Sequence, residues 1–297
     1  SFRVLMLGKK GKVTGLFSEF KNVPSEQKKE FGRQLNILKK TTLEKVAFLK
    51  ENLCGVNEKT GSKEDLSIPG QPYNLGSRHP ISIIKNEIVE IFSTIGFSIS
   101  EGPEIEDDWH NFSALNFPEN HPARDMQDTF FVDKDIVLRT HTSNVQIHLM
   151  EEKDPPLRFI VPGRVYRNES ISYKSYCLFH QVEGLFVDKN VSFAQLKGCL
   201  EYFVKKMFGS DRKMRWRPSY FPFTEPSAEV DIWDEQRNQW MEILGCGMVD
   251  PEVFNSVNYD PKIWRGYAFG MGVERIAMLK YGIEDIRLFY GGDIRFL

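Results

Sequence analysis

Strand-like segments follow one another through the middle of this 297-residue chain, and they constrain its fold more than any other feature. In residues 228–233, apolar and acidic side chains alternate, which is the pattern of a half-buried strand. One helical pattern, at residues 192–208, interrupts the series. Because strands do not alternate one-for-one with helices, the sequence predicts an α+β fold with an antiparallel sheet flanked by helices, not a doubly wound sheet. The predicted strands are 158–162, 164–169, 179–187, 214–219, 228–233 and 240–246.

An isoleucine stripe precedes these strands. Its members recur at helical spacing, so residues 80–95 are predicted to form a core-facing helix that ends at Gly96. A short strand at residues 97–99 is predicted to follow and to lead into Gly102-Pro103. The stripe consists of Ile81, Ile84, Ile88, Ile91 and Ile95.

The N-terminal part differs from the rest in charge. Residues 1–63 contain 14 Lys or Arg and 6 Glu, a net of +8, whereas the remainder carries 25 basic and 35 acidic side chains, a net of −10. A basic appendage on an acidic body indicates a polyanionic partner. A helix capped by Ser25, with apolar residues at a 3–4 spacing, predicts a coiled-coil seam, and a solvated charged hairpin is the alternative. The seam would be Phe31, Leu35, Leu38, Val46, Leu49 and Leu53.

These features divide the chain into three parts. Residues 1–58 are predicted to form the helical appendage, and residues 79–297 the globular body. Between them, residues 59–78 are rich in polar residues, glycine and proline, which predicts a linker with one short extended piece near Leu66.

The cysteines and the hydropathy bear on location. Cys54, Cys177, Cys199 and Cys246 have no CxxC spacing, which favours reduced thiols over a zinc site or disulfides. No run approaches the roughly 18 apolar residues of a membrane span, and the N-terminus does not resemble a signal peptide. We therefore expect a cytoplasmic protein.

Two distant runs indicate a phosphate clamp that uses no P-loop. Arg167 and Glu169 lie on the predicted strand 164–169, and Arg275 follows Gly270-Met-Gly272-Val-Glu. Each arginine can hold a phosphate with its planar fork. The chain has no GxGxxG and no GKS or GKT run, which argues against a Rossmann or Walker site. Taken alone, each run has a plainer interpretation, a solvated strand face or an ordinary glycine turn.

Several runs together resemble the class II aminoacyl-tRNA synthetases, and among them the phenylalanyl-tRNA synthetase alpha (catalytic) subunits. Arg164-Val-Tyr-Arg-Asn-Glu169 with Phe179-His-Gln-Val-Glu-Gly184 resembles the second signature motif, and Gly270-Met-Gly-Val-Glu-Arg275 the third. The resemblance spans roughly residues 65–297. Further runs that carry it are Gly102-Pro-Glu-Ile-Glu-Asp-Asp, His121-Pro-Ala-Arg-Asp-Met, Arg139-Thr-His-Thr-Ser143, Tyr220-Phe-Pro-Phe-Thr-Glu-Pro-Ser227, Leu244-Gly-Cys-Gly-Met248 and Tyr267-Ala-Phe-Gly-Met-Gly272.

The resemblance implies a role for each part of the clamp. Arg167 would bind the α-phosphate of ATP and Arg275 the γ end, while Glu169, on the same strand face as Arg167, would accept from the adenine amino group. Phe179 would stack on the adenine ring. A surface salt bridge is the alternative for Arg167, and plain core packing is the alternative for Phe179.

The resemblance also implies an amino-acid pocket. Two aromatic rings two residues apart make a suitable wall for an aromatic side chain, and small residues leave room for its ring. By resemblance, the pocket is lined by Phe221, Phe223, Thr224, Ala268 and Gly270. Polar groups for the ammonium and carboxylate would come from His141, Ser143, Gln146, Gln181 and Glu183, whereas His148 and His180 are expected to be structural.

Magnesium is expected with ATP, held by phosphates and one or two carboxylates. Glu242 is the candidate for that ion, and Glu225 resembles the family position that shares a separate magnesium with the beta subunit. Both can instead be hydrogen-bonded structural acids. One departure stands out: relatives commonly carry Asp-Ala-Thr-His where this chain has Ser172-Tyr-Lys-Ser175. Lys174 would supply the positive charge of the missing histidine.

The resemblance implies ATP-dependent formation of phenylalanyl-adenylate and transfer to the 2′-hydroxyl of tRNA(Phe), in an alpha2-beta2 tetramer with a beta subunit. Lys9, Lys10 and Lys12 lie in a run that looks like the tip of a tRNA-binding coiled coil, whose first helix is longer in relatives. Two alternatives stay open: a class II ligase for another amino acid, such as phosphoserine or pyrrolysine, and a non-enzymatic paralogue that only binds tRNA or a partner. The aromatic wall and the lack of basic pocket residues argue against phosphoserine, and the intact clamp argues against the paralogue.

Overall fold

A computed structural model describes residues 2–54, 76–124 and 128–297. The chain divides into two compact units, Ser1–Asn74 and Leu75–Leu297. The predicted domain boundaries at residues 58 and 78 stay a prediction, and Leu66 lies outside the described residues. No helix among the described residues is long and apolar enough to cross a membrane.

The N-terminal unit contains the helices α1 (Phe2–Leu7), α2 (Lys12–Glu19) and α3 (Lys28–Cys54). The predicted N-cap at Ser25 is wrong: residues 25–27 form a turn in which the Gln27 N–H donates to the Pro24 carbonyl, and the helix begins three residues later. The predicted seam is partly exposed. Leu35 is buried, but Phe31, Leu38 and Leu49 are each more than 40% exposed; the side chain of Leu53 lies outside the description.

A seven-stranded sheet organises the second unit, with strand order β1-β5-β6-β10-β9-β8-β7. Every neighbouring pair is antiparallel except β1 with β5, so the predicted α+β class is confirmed. A smaller antiparallel sheet has the order β2-β4-β3. The strands are β1 (Ser98–Ile99), β2 (Ile105–Asp107), β3 (Phe131–Asp133), β4 (Ile136–Leu138), β5 (Leu157–Tyr166), β6 (Leu178–Asp188), β7 (Met214–Phe221), β8 (Thr224–Asp234), β9 (Gln239–Val249) and β10 (Arg265–Gly272).

The strand prediction at 164–169 is wrong in its last three residues. Residues 158–166 belong to one continuous strand, β5, whose last pair with β6 joins Tyr166 to Leu178. After that pair the chain leaves the ladder, because the Asn168 N–H donates to the carbonyl of Asp128, outside the sheet. Arg167 and Glu169 therefore stand on the loop after β5 and do not share a strand face.

The helices of this unit are α4 (Pro80–Thr94), α5 (Asp108–Asn111), α6 (Asn144–Glu152), α7 (Phe193–Phe208), α8 (Pro251–Ser256) and α9 (Val273–Tyr281). The isoleucine stripe is buried on α4 as predicted, except Ile95, which follows the helix. Phe92 stacks on Phe203 of α7 at 5.2 Å and on Phe269 of β10 at 4.8 Å. A side chain at Gly184 would collide with the Phe269 ring, so this glycine lets the ring lie against β6. The sheet thereby presents a rigid set of paired strands to the site.

Candidate active site

A cavity of about 690 Å³ opens on β6, β8, β9 and β10, near the N-terminal end of α9. It brings together 15 of the 16 residues predicted for the nucleotide, the amino acid and magnesium; Glu225 is the exception. The functional roles of these residues stay predictions. The 15 are Arg167, Glu169, Phe179, Arg275, His141, Ser143, Gln146, Gln181, Glu183, Phe221, Phe223, Thr224, Ala268, Gly270 and Glu242.

Glycines on the central strands make room for the cavity's contents. Gly270 on β10 pairs with Glu183 on β6 and with Gly245 on β9. A Cβ at Gly245 would meet the Phe221 ring at 2.7 Å, and one at Gly270 would meet the Glu183 side chain at 3.1 Å. Only glycine therefore allows the aromatic ring and the carboxylate to lie this close to the sheet.

One side of the cavity, the amino-acid side, consists of an aromatic wall beside polar groups. The rings of Phe221 and Phe223 stack at 5.8 Å, with 20° between their planes. Phe117 extends this wall, 5.8 Å from Phe223 and stacked on His141 at 5.9 Å. Sequence reasoning missed Phe117, because it lies on a segment without periodicity before the predicted strands. Ala268 and Thr224 are buried at the same side.

Glu183 is the buried charge of the amino-acid side. Its carboxylate accepts from the Ser143 hydroxyl at 2.5 Å and from the Gln146 amide at 3.2 Å. Burial raises the pKa of Glu183 to about 7, although the hydrogen bonds from Ser143 and the Thr142 backbone and the positive charge of Arg167 act in the opposite direction. The group is therefore poised to ionise when a cation approaches.

Two neighbours of Glu183 are suited to a polar ligand. Burial, with repulsion from Arg167, lowers the pKa of His141 to about 3, so its ring is neutral near pH 7. The side-chain oxygen of Gln181 is buried and accepts no hydrogen bond within the described part of the chain. Such an unpaired acceptor costs free energy until a ligand donor reaches it.

The nucleotide side, named for its predicted role, consists of the lining residues that carry the charged groups of the predicted clamp. The Arg167 guanidinium donates to the Thr140 carbonyl at 3.2 Å and lies 5.0 Å from the centre of the Phe179 ring. Arg275, in the first turn of α9, donates to Glu242 at 3.1 Å. Arg217 reaches the other oxygen of Glu242 at 3.6 Å. Glu169 is exposed on the loop after β5.

A tyrosine pair braces that loop. The rings of Tyr176 and Tyr290 stack at 4.4 Å with 14° between their planes. The Tyr290 hydroxyl donates to the buried carboxylate of Glu274 at 2.6 Å, and Glu274 also accepts from the backbone and ring of His180. His180 is thus tied to this carboxylate, in keeping with the structural role expected of it. No sequence signal marked the tyrosine pair, since its members are 114 positions apart.

The remaining predicted residues lie elsewhere. Glu225 is exposed on β8 and does not line the cavity. Lys174 and Ser175 do line it, on the loop that departs from the family pattern. Lys9, Lys10 and Lys12 belong to the N-terminal unit, where all three are exposed at the turn between α1 and α2.

Comparisons with known proteins agree with this geometry. Residues 63–297 match the family described as tRNA synthetases class II core domain (F), and residues 1–57 match the aminoacyl tRNA synthetase class II N-terminal domain. The phenylalanine--tRNA ligase alpha subunit of Christiangramia forsetii is 60% identical over all of this chain and 91% of its own length. The corresponding subunits of Flavobacterium psychrophilum and Parabacteroides distasonis are 58% and 54% identical, with the same coverage. The chain belongs to the class II aminoacyl-tRNA synthetases, in the family of phenylalanine–tRNA ligase alpha subunits.

Proposed function

We propose that this chain uses ATP to activate L-phenylalanine as phenylalanyl-adenylate and transfers the acyl group to tRNA(Phe). The observation that carries the proposal is the cavity itself. An aromatic wall, a buried carboxylate and two arginines line the same cavity. The names of the relatives support the choice of amino acid.

Activation joins the substrate carboxylate to the α-phosphorus of ATP. A carboxylate oxygen attacks this phosphorus in line, the bond to the bridging oxygen breaks, and pyrophosphate leaves with the electron pair. No protein nucleophile is needed, so the residues act by alignment and by stabilising charge. Arg167 would hold the α-phosphate, and its contacts with the Thr140 carbonyl and the Phe179 ring support this role. Arg275 would hold the distal phosphate end once it exchanges its bond with Glu242 for one with phosphate.

The amino-acid side orients phenylalanine for that attack. The ammonium would donate to Glu183 and to the unpaired oxygen of Gln181, and its charge would favour ionised Glu183. The substrate ring would pack on Phe221 and Phe223. An apolar wall rejects an added hydroxyl only by roughly a hundredfold, so tyrosine is expected as a slow competing substrate.

Magnesium would accompany ATP at Glu242. The site suits the ion in kind, because Mg²⁺ prefers carboxylate oxygens and phosphates, and Glu242 shares the cavity with the phosphate-binding arginine. Bound there, the ion would neutralise phosphate charge. Glu225, exposed outside the cavity, is proposed for a separate ion shared with a beta subunit.

The proposed assembly is an alpha2-beta2 tetramer with a beta subunit, since the relatives are named alpha subunits. The tRNA would contact the basic N-terminal unit through Lys9, Lys10 and Lys12. The cytoplasm is the proposed compartment, in keeping with the free thiols of Cys177, Cys199 and Cys246.

Phenylalanine-dependent exchange of pyrophosphate into ATP tests the proposal directly. The chain is assayed with and without the beta subunit encoded in the same genome, and with each of the twenty amino acids. Exchange stimulated most by phenylalanine is expected. Stimulation by another amino acid, or none in either assembly, would overturn the proposed substrate or the proposed activity.

The position of Ala268 gives a sharper test of the amino-acid side. Ala268 is buried on β10 beside the cavity, so Ala268→Gly opens space where the far edge of the substrate ring would lie. We expect para-chlorophenylalanine to gain about tenfold in kcat/KM relative to phenylalanine, the effect of one methyl-sized group in an apolar pocket. Ala277→Gly, at a buried position on α9 that does not line the cavity, is the control. An unchanged ratio in Ala268→Gly would remove this residue from the pocket floor.

A further inference from the structure

A second cluster of ligand-type side chains lies outside the catalytic cavity. Glu106 at β2, His110 on α5 and His148 on α6 bring a carboxylate oxygen and two imidazole nitrogens within 4.8 Å of one another. His148 Nε2 is 2.7 Å from one oxygen of Glu106, and His110 Nδ1 is 3.8 Å from the other. The two rings stack at 4.0 Å. Nothing in the reaction proposed above uses these groups.

The surroundings of the cluster resemble the supporting contacts of a metal site. His110 Nε2 is 3.1 Å from the carboxylate of Glu151, which would fix the ring when Nδ1 is a ligand. Ligating histidines commonly donate their other N–H to a carboxylate in this way. Asn144 donates to the carboxylate of Glu106 at 2.8 Å and holds that group in turn. Asp107, 2.9 Å from His110 Nδ1, stands beside the same position as a further oxygen donor.

The cluster contains more carboxylates than positive groups, and a cation would neutralise the excess. Glu106, Asp107 and Glu151 are three carboxylates, and within the described ranges no lysine or arginine lies in ion-pair distance of any of them. Their partners are two imidazoles, which carry at most two positive charges. Glu106 is only 7% exposed, so its charge is poorly solvated. His148, at 31%, leaves the cluster open to solvent and to an entering ion.

We propose that Glu106, His110 and His148 form a binding site for a divalent transition-metal ion of the Zn²⁺ type. Two imidazoles and one carboxylate are a common protein ligand set for zinc, with water or Asp107 in the fourth position. Ligands of a tetrahedral zinc lie about 3.4 Å apart, so the three groups would close by up to about 1.4 Å, and the stacked imidazoles would turn so that a nitrogen of each points at the ion. The nitrogen ligands favour such an ion over Mg²⁺ or Ca²⁺, which prefer oxygen.

Metal binding here would brace the helix that supports the amino-acid side. Asn144 and His148 of α6 contact Glu106, while Ser143, just before α6, and Gln146 contact Glu183. An ion at the cluster would tie α6 to β2 and α5 and resist thermal unfolding.

Titration of the metal-free chain with Zn²⁺ tests the proposal. We expect one strongly bound ion, a rise in Tm of about 5 °C at a hundredfold excess over Kd, and little response to Mg²⁺. Co²⁺ should bind with weak d–d absorption and no intense thiolate band, which separates this site from the free cysteines.

Two variants decide between this site and adventitious binding. His148→Gln removes a ligand but keeps an amide that can donate to Glu106, and it should abolish the strong binding. His79→Gln changes a histidine at the start of α4, outside the cluster, and should leave binding unchanged. Equal Zn²⁺ affinity in the wild type and His148→Gln would overturn the proposal. An equal Tm rise with Mg²⁺ would do so as well, because carboxylates alone would then hold the ion.

Discussion

On the amino-acid side of the cavity the charged group, Glu183, stands on the paired strand β6, whereas on the nucleotide side Arg167 and Glu169 stand on the loop after β5 and Arg275 stands on α9. Glu183 is buried, hydrogen-bonded twice and flanked by strands on both edges. Glu169, by contrast, is exposed on the loop after β5, and Arg275 is half exposed on α9. The group proposed to bind the ammonium of the amino acid is thus held by the sheet and by its own hydrogen bonds.

The two sides are therefore expected to respond differently to substitution. A buried, preorganised group should control amino-acid binding and its pH dependence, since its protonation state changes on binding. An arginine that meets charge developing on phosphate should control the rate of chemistry. The position of the loop after β5 should depend on the stacking of Tyr176 on Tyr290, a residue far along the chain.

The largest effect is expected at Arg167. Arg167→Ala removes a charge-assisted contact to the α-phosphate, which is worth about 3 kcal/mol, or a hundredfold or more in exchange rate. Arg164→Ala is the matched control, because Arg164 lies three residues earlier on β5 and pairs with Glu104 instead of lining the cavity. Pyrophosphate exchange is measured for both, with folding checked by circular dichroism. A folded Arg167→Ala chain that exchanges within threefold of wild type would contradict the assignment.

The next effect is expected at Glu183. Glu183→Gln removes the anionic partner of the ammonium, so KM for phenylalanine should rise about tenfold to a hundredfold while KM for ATP stays the same. In the wild type, KM for phenylalanine should fall as the pH rises through about 7, where Glu183 ionises. The variant should lose this dependence. A wild-type profile that is flat between pH 6 and 8 would speak against Glu183 as the ammonium partner.

Stability gives an independent reading of the same carboxyl group. The pKa of Glu183 is raised from its usual 4.5 to about 7 in the folded chain. Between these two pH values, the folded state therefore holds a proton that the unfolded chain has released. The stability contributed by this group is therefore full below pH 4.5 and is lost as the pH rises through that window. The Tm of Glu183→Gln minus the Tm of the wild type should therefore be larger at pH 8 than at pH 5.

A smaller effect is expected from the tyrosine pair. Tyr290→Leu removes the stack on Tyr176 and should raise KM for ATP about fivefold, the worth of one aromatic pair, without changing KM for phenylalanine. Tyr290→Phe keeps the stacked ring and should restore most of the ATP affinity. Tyr281→Leu, at an exposed tyrosine on α9, serves as the control. If both constants change together, Tyr290 supports the fold in general and does not position the loop.

Much of the sheet and of the helices packed on it could be predicted from the sequence. Alternation in β8 and periodicity in α4 and α7 are local signals, and they predicted these elements to within a few residues. The cavity brings together residues as far apart as His141 and Arg275, which only the motif resemblance could anticipate. Periodicity alone does not say which strands are neighbours.

The loop after β5 could not be predicted in the same way. Strand β5 ends just before the Asn168 N–H donates to the carbonyl of Asp128, 40 positions away. No local pattern marks this contact, so the predicted strand was three residues too long. The Tyr176–Tyr290 stack and the cluster around Glu106 depend likewise on long-range contacts between residues without a local pattern. Such contacts follow from tertiary packing, which overrides local preference.

The smallest effect on the cavity is expected from the N-terminal unit, whose lysines should matter only when tRNA is present. Lys9, Lys10 and Lys12 are exposed in a region with a net charge of +8, so contacts with tRNA phosphates would release counterions. Replacing all three with alanine should raise KM for tRNA and lower the salt dependence of binding by roughly 0.7 to 0.9 log units per lost phosphate contact for each tenfold rise in salt. Pyrophosphate exchange should stay unchanged.

Lys205→Ala with Lys206→Ala, two exposed lysines of α7, controls for a general loss of positive charge. Aminoacylation and exchange are measured side by side over a salt series for both variants. If exchange falls together with aminoacylation, the N-terminal lysines support the catalytic unit, and the two sides of the cavity do not function on their own. If neither activity changes, these lysines are a solvated surface, and the tRNA must be held by other residues. Loss of aminoacylation alone would confine amino-acid selection and phosphate chemistry to the cavity and leave tRNA capture to the basic unit.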